Sequence, residues 1–151
     1  IIIAGASGYG GKSFLSEIGK LEDINAIALC ISKEEFAGFK ISSNIKVLTN
    51  EEFFNLNNLF DNINKEIYLI NFAFPRKDNI DDIVDAFEYM YKLYAKSFEL
   101  GAKYIINTSS QSVYDINRKK AAKETDLLKP FSVYGLAKIF TEKYTKFFLG
   151  T

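Results

Sequence analysis

Apolar residues fall along the chain in two alternating rhythms. Short, mainly apolar runs at Ile1–Ala4, Ile24–Ile31, Ile45–Leu48, Ile67–Phe74 and Tyr104–Thr108 predict strands. Between them the spacing is helical. Gly11–Leu21 places Phe14, Leu15 and Ile18 on one face, Glu51–Phe60 predicts a short helix or turn, and Asp78–Leu100 predicts a long helix that stops at Gly101. Asp78 and Asn79 are candidate caps for that helix, and Pro75 ends the strand before it. Residues 109–130 read mostly as loop, with a short helical piece at Asn117–Lys123, and Val133–Phe148 reads as a final helix. Strands that are apolar throughout and joined by helices predict an α/β chain with a doubly wound parallel sheet covered on both faces. In such a sheet ligands sit beyond the C-terminal ends of the strands.

Composition narrows the chemistry. The chain has 151 residues, enough for one domain with its own core, of which 48% are hydrophobic and 25% charged. Nineteen basic residues balance 19 acidic ones, so there is no electrostatic footprint for nucleic acid or an anionic membrane, and neither is an expected partner. The longest apolar run, around Ile67–Pro75, is too short to span a bilayer, and a cytoplasmic location is the expectation. The single cysteine, Cys30, excludes an internal disulfide and a cysteine-cluster metal site. With no histidine, Ser-His-Asp, Cys-His and His-ligated zinc chemistry within this chain are excluded too, and no metal is expected.

The turn after the first run is ambiguous. Gly5-x-x-Gly8-x-x-Gly11 suits a dinucleotide loop, in which a helix N-terminus meets a pyrophosphate. Ala6-x4-Gly11-Lys12-Ser13 is one alanine away from the triphosphate loop G-x4-G-K-[ST]. A triphosphate site needs a downstream Asp to hold magnesium. Ile67–Phe74 has Asn71 as its only polar side chain, Tyr104–Thr108 leads into Ser109-Ser110, and Ile24–Ile31 leads into Ser32-Lys33. None supplies the carboxylate. Lys12 then reads as a solvated first-turn charge, although that end of a helix disfavours cations.

Hydride chemistry finds its parts. Tyr134 and Lys138 stand one helical turn apart on one face. A phenol is a poor base at neutral pH, and a nearby ammonium favours the phenolate. Ser109 and Ser110 add hydroxyls just past the fifth strand, where a substrate carbonyl or alcohol would lie. A bland reading stands beside this one: loop serines satisfying backbone groups, and an amphipathic helix with a buried Tyr and an exposed Lys.

Together these residues resemble the extended short-chain dehydrogenase/reductase family, the group of NAD(P)-dependent nucleotide-sugar epimerases, dehydratases and ketoreductases. The resemblance covers essentially the whole chain. Gly5-Ala-Ser-Gly8-Tyr-Gly-Gly11 is similar to that family's glycine motif, Asn107-Thr-Ser-Ser110-Gln-Ser-Val113-Tyr114 to its fifth-strand segment, and Pro130-Phe-Ser-Val-Tyr134-Gly-Leu-Ala-Lys138 to its Tyr-x3-Lys helix. The resemblance implies a Rossmann-like fold, with Ser110 on the catalytic Ser/Thr position, Tyr134 as acid/base, and Lys138 as the lysine that tunes the phenol and binds the ribose. It further implies that Gly5, Ser7, Gly8, Tyr9, Gly11, Ser32, Lys33, Phe72, Ala73, Tyr134 and Lys138 bind NAD or NADP.

Three departures from the family pattern bear on these expectations. Gly10 stands where a bulky apolar residue is usual, and the fourth helix lacks, near Ala86, the asparagine many members carry. The second strand ends in Cys30-Ile31-Ser32-Lys33 instead of an Asp that would repel a 2′-phosphate, which leans the cofactor towards NADP, unless Lys33 is a solvated loop charge. Gln111-Ser112 occupy the place of the Asp-Glu pair of dehydratases, and Ser112 that of the Glu of decarboxylating members, so an epimerase or a ketoreductase acting on a nucleotide sugar is favoured. Relatives that only sense or store the dinucleotide generally lack the Tyr or the Lys.

A homodimer is expected, through the helix bearing Phe87, Met90, Tyr91 and Tyr94 together with the Tyr134 helix, although core packing accounts for the same residues. The chain starts inside a strand without Met and ends in a helix running into Gly150. Residues 1–151 are therefore expected to be the N-terminal dinucleotide-binding domain of a longer protein, without its sixth strand and smaller C-terminal substrate domain.

Overall fold

The structure, a computed structural model, describes residues 1–58, 66–74 and 79–150. Its centre is β1 (Ile2–Ala4), which pairs in parallel with β2 (Ala26–Cys30) on one side and β4 (Ile67–Asn71) on the other. β3 (Ile45–Thr49) runs parallel beyond β2, and β5 (Ala102–Asn107) borders β4, so the order is β3-β2-β1-β4-β5. Every residue of β1 and β2 is buried, and because neighbouring side chains point to opposite faces, both faces of the sheet are covered. The strand order reverses between β1 and β4, the switch point at which doubly wound sheets bind ligands. The expected Rossmann-like fold is the observed one.

The described residues form four α-helices, α1 (Tyr9–Ile18), α2 (Asn50–Phe54), α3 (Ile80–Glu99) and α4 (Val133–Leu149). The chain divides into two compact units, Ile1–Phe74 with Tyr91–Ile106 and Pro75–Met90 with Asn107–Thr151. In the first unit Leu15 and Ile18 of α1 pack with Ile3, Ala28 and Phe36, and Phe14, Phe39 and Phe72 close the edges of this core. In the second, Phe87 of α3 meets Phe140 of α4 with ring centroids 4.5 Å apart. Met90 and Tyr94, expected on a face open to a second copy, are core residues at 2% and 0% exposure.

The boundaries that differ from expectation have local causes. α1 starts two residues early, at Tyr9, because Gly8 is the extended N-cap, and it stops at Ile18, after which Lys20 and Leu21 bond only three residues back. β4 ends at Asn71 instead of Phe74: its side-chain Oδ1 accepts the Ala73 N–H at 3.0 Å and turns the chain off the ladder. The short helix after β3 is Asn50–Phe54, held by a Thr49–Glu52 capping box; Leu59 and Phe60 lie outside the described residues. Asn79 caps α3 by accepting the Asp81 N–H at 3.1 Å, and Asp78 lies outside the described residues. No helix forms at Asn117–Lys123. Asp115 draws the Asn117 and Arg118 N–H groups into a turn, and the helical piece of this loop is a 3-10 turn earlier in the chain, at Gln111–Val113.

Among the described residues, the Ser97 hydroxyl of α3 is buried without a hydrogen-bond partner. A buried unpaired hydroxyl costs stability while a methyl group there does not. Ser97→Ala is therefore expected to stabilise the chain by about 1 kcal/mol, read from the urea midpoint at unchanged slope.

Candidate active site

The glycine turn is built from backbone contact. Gly5 has φ +67°, and a Cβ there would stand 2.6 Å from the Ala73 nitrogen; a Cβ on Gly11 would stand 2.4 Å from the Gly5 carbonyl oxygen. Both must be glycine for α1 to start this close to the ends of β1 and β4. The start of α1 carries no side-chain cap and no acidic residue in its first turn, and Gly8 and Tyr9 are exposed. Unpaired N–H groups and the positive end of the helix dipole thus face outward from a site without bulk, which fits the pyrophosphate of a dinucleotide. Ser7, Phe72 and Ala73 are half-buried around this turn. The unusual Gly10 has a structural reason: a Cβ there would lie 3.4 Å from the Phe72 ring, which packs on Phe14 at 5.7 Å and supplies the missing bulk.

At the end of β2, Ser32 is the N-cap of a 3-10 turn, Lys33–Phe36, that the apolar pattern alone does not show. Its hydroxyl accepts the Glu34 N–H at 3.4 Å and also touches the Glu34 carboxylate, while its own N–H donates to Glu35 Oε1 at 3.3 Å. The readable signal was Ser-x-x-Glu, a capping box. Lys33 is not solvated alone. Its ammonium lies 2.6 Å from Glu52 Oε1, and that hydrogen bond, with one from the Thr49 N–H, holds the Glu52 carboxyl below its ordinary range. Nor is Lys12 a free first-turn charge. Its Nζ donates to the Glu35 carbonyl at 2.7 Å and lies 5.8 Å and 5.9 Å from the Phe36 and Phe39 ring centroids.

The three candidate catalytic residues belong to the second unit. Ser110 is the N-cap of the Gln111–Val113 turn; its hydroxyl accepts the Ser112 N–H at 3.2 Å and donates to Ser112 Oγ at 3.1 Å. Ser109 instead hydrogen-bonds the Glu142 carboxylate. Ser132 caps α4 by accepting the Gly135 N–H at 3.0 Å, which starts the helix just before Tyr134. A Cβ on Gly135 would stand 2.3 Å from the Ser112 carbonyl oxygen, so only glycine lets the first turn of α4 rest against the Ser110 turn. Tyr134 is half-buried. Lys138 is 2% exposed, the reverse of the bland reading, and burial pushes its ammonium down to about 8 against the opposing pull of Glu142. Thr141 fixes the next turn, donating to the Lys138 carbonyl at 2.8 Å and accepting from Asn107 Nδ2 at 3.3 Å. Ser132 was legible as a cap before an apolar-periodic stretch; Gly135, Thr141 and Asn107 carried no comparable signal.

Among the described residues no group of three or more His, Cys, Asp or Glu could hold a metal ion, and no helix is long and apolar enough to cross a membrane. The profile of the NAD dependent epimerase/dehydratase family matches residues 1–148. The chain belongs to this family. Comparison with curated proteins gives no match. Among solved structures, this epimerase/dehydratase family chain is similar to UDP-N-acetylglucosamine 4-epimerase from Bacillus cereus, with 19% identity, TM-score 0.74, and coverage of 97% of this chain and 47% of that one. It is similar to UDP-glucose 4-epimerase from Thermotoga maritima, solved with UDP-glucose, at 21% identity and TM-score 0.72, covering 97% and 50%. It also resembles UDP-glucuronic acid 4-epimerase from Bacillus cereus, solved with UDP-glucuronic acid and NAD, at 15% identity and TM-score 0.74, covering 99% and 52%. At these identities the likeness is one of fold, and the chain spans about half the length of each structure.

The buried lysine of this family member has a consequence for stability. Its folded value of about 8 lies below that of an unfolded lysine, so the unfolded chain binds more protons between the two and stability rises with pH across that window. The cost of burying the charge, on the order of 3 kcal/mol, is fully present below pH 8 and fades towards pH 10.5. In urea titrations the wild-type chain is expected to gain stability over this range relative to Lys138→Met. Parallel curves for the two proteins would remove the assignment.

Proposed function

We propose that residues 1–151 form the dinucleotide-binding domain of an NAD(P)-dependent enzyme that epimerises or reduces a nucleotide sugar by Ser-Tyr-Lys chemistry. The observation that carries this reading is Lys138, buried one helical turn after Tyr134 on a helix whose start leans on the Ser110 turn. A lysine buried at a cost in stability is placed for its charge, as at sites where an ammonium acts on a neighbouring group or a cofactor.

A nicotinamide cofactor, its pyrophosphate held at the start of α1 beyond Gly8, would supply the hydride acceptor and donor. The chain's own residues handle the proton and the oxygen. Tyr134 takes the proton of the alcohol as its carbon is oxidised and gives it back on reduction. Ser110 hydrogen-bonds the same oxygen, and its contact with Ser112 fixes the hydroxyl for that task. Lys138, one helical turn after Tyr134, binds the ribose of the cofactor. An epimerase needs no more than this, whereas water elimination needs an additional acid and base. The Ser110 turn has none: Gln111 accepts from Arg118 at 3.0 Å, Ser112 bonds Ser110, and the nearby Asp115 is paired with Lys129 at 2.7 Å. The lean towards NADP rested on the missing acid at the end of the second strand and on Lys33 beside it. With that ammonium on Glu52 and the Glu34 and Glu35 carboxylates in the same turn, the local charge suits NAD better than a 2′-phosphate.

In the full-length protein supplied with UDP-sugars, inversion at one sugar carbon is the expected activity. Tyr134→Phe should lower turnover by orders of magnitude and leave dinucleotide binding intact. Unchanged turnover would end the catalytic assignment, and a 4-keto-6-deoxy product would end the preference for epimerase or ketoreductase.

We also infer a homodimer. Val84 on α3 and Leu136 and Phe140 on α4 are 56%, 60% and 49% exposed, and Phe140 continues a ring ladder through Tyr144 to Phe148. A second copy of this chain would cover these apolar positions. Light scattering of the full-length protein should give twice the monomer mass, and Phe140→Glu should shift it to monomer. A monomeric wild type would refute the dimer.

A further inference from the structure

Lys12 is the one part of the glycine turn that dinucleotide binding leaves without a task. It sits in the first turn of α1, where a cation opposes the helix dipole. A neutral chain of the same length would pack on Phe36 and Phe39 without that penalty. What the ammonium adds is the hydrogen bond to the Glu35 carbonyl at 2.7 Å. Glu35 is thereby held at both ends, for its carboxylate accepts the Ser32 N–H at 3.3 Å. Ser32 in turn caps the 3-10 turn that follows β2. The chain of contacts runs from the first turn of the phosphate-binding helix, through one residue, to the polar group at the C-terminal end of β2.

We propose that Lys12 is a positioning residue for the adenosine half of the cofactor: it ties the turn after β2 to α1 and so sets where Ser32 meets the ribose. This rests on the dinucleotide reading above. It also separates this lysine from that of a triphosphate loop, which points its ammonium at phosphate oxygens. Here the close partner is a backbone carbonyl, and two aromatic rings flank the head group.

The test compares the wild-type chain with Lys12→Met, which keeps the stem, and Lys12→Arg, which restores a donor, each checked for folding by urea titration. Calorimetric binding is measured for NAD, AMP and inorganic pyrophosphate, together with hydrogen exchange of the Ser32 amide. Lys12→Met should weaken NAD and AMP about tenfold, the size of one hydrogen bond to a charged group. Pyrophosphate affinity should stay within about twofold of wild type, the Ser32 amide should exchange faster, and Lys12→Arg should recover most of each loss. If Lys12→Met does not fold, the same readouts are taken on Lys12→Gln. Unchanged NAD affinity and Ser32 exchange would overturn the proposal, as would pyrophosphate weakening in step with AMP, which would put Lys12 on the phosphate itself. A wild-type chain that binds no NAD would instead overturn the dinucleotide reading on which the proposal rests.

Discussion

Two backbone contacts in the glycine turn set where α1 starts at the end of the sheet. The loop leaves β1 with Gly5 in a left-handed conformation pressed against the backbone just past β4, and Gly11 brings α1 down onto the Gly5 carbonyl. A single Cβ at either position would collide with main-chain atoms that have nowhere to move, because β1 and its neighbours are buried on both faces. The start of α1 is thereby held at the point where the strand order reverses. No side chain caps that start, which leaves its first N–H groups without a side-chain acceptor.

The second unit repeats the device with a different purpose. Gly135 brings α4 against the Ser112 carbonyl as Gly11 brings α1 against Gly5. Here the gain is a fixed relation between the Ser110 turn and the helix that carries Tyr134 and Lys138. Rigidity of this kind matters for a proton-transfer group, whose rate depends on hydrogen-bond reach before it depends on pKa. Lys138 shows the cost. Burial depresses its ammonium, so the residue destabilises the fold at neutral pH.

Charge placement around β2 follows another rule. Two lysines that look free in the sequence are both engaged, Lys33 by a carboxylate and Lys12 by a carbonyl and two rings. Each engagement depends on a residue at least 19 positions away in the chain. Reading either lysine from its neighbours alone assigns it to solvent or to phosphate. The fold gives Lys12 the Glu35 carbonyl and Lys33 the Glu52 carboxylate.

Much of the molecule was nevertheless determined locally. Mainly apolar runs bounded by turn residues located the five strands, most clearly β1 and β2, which are buried at every position, and helical spacing located α1, α3 and α4. Ser110, Tyr134 and Lys138 stand at motif spacing in the sequence, and the structure puts all three in one unit, with the Ser112 carbonyl of the Ser110 turn against Gly135 of α4. Helix and strand ends were less legible, since Asn71, Ser32 and Ser110 end or start elements through side-chain bonds that compete with the ladder or the helix. Only the tertiary structure decided that Lys138 is buried instead of Tyr134, that Phe72 fills the space beside Gly10, that Met90 and Tyr94 belong to the core, and that Lys12 serves the turn after β2. Those are questions of which distant atoms fill a given volume or complete a given hydrogen bond, and local spacing along a chain carries no information about them.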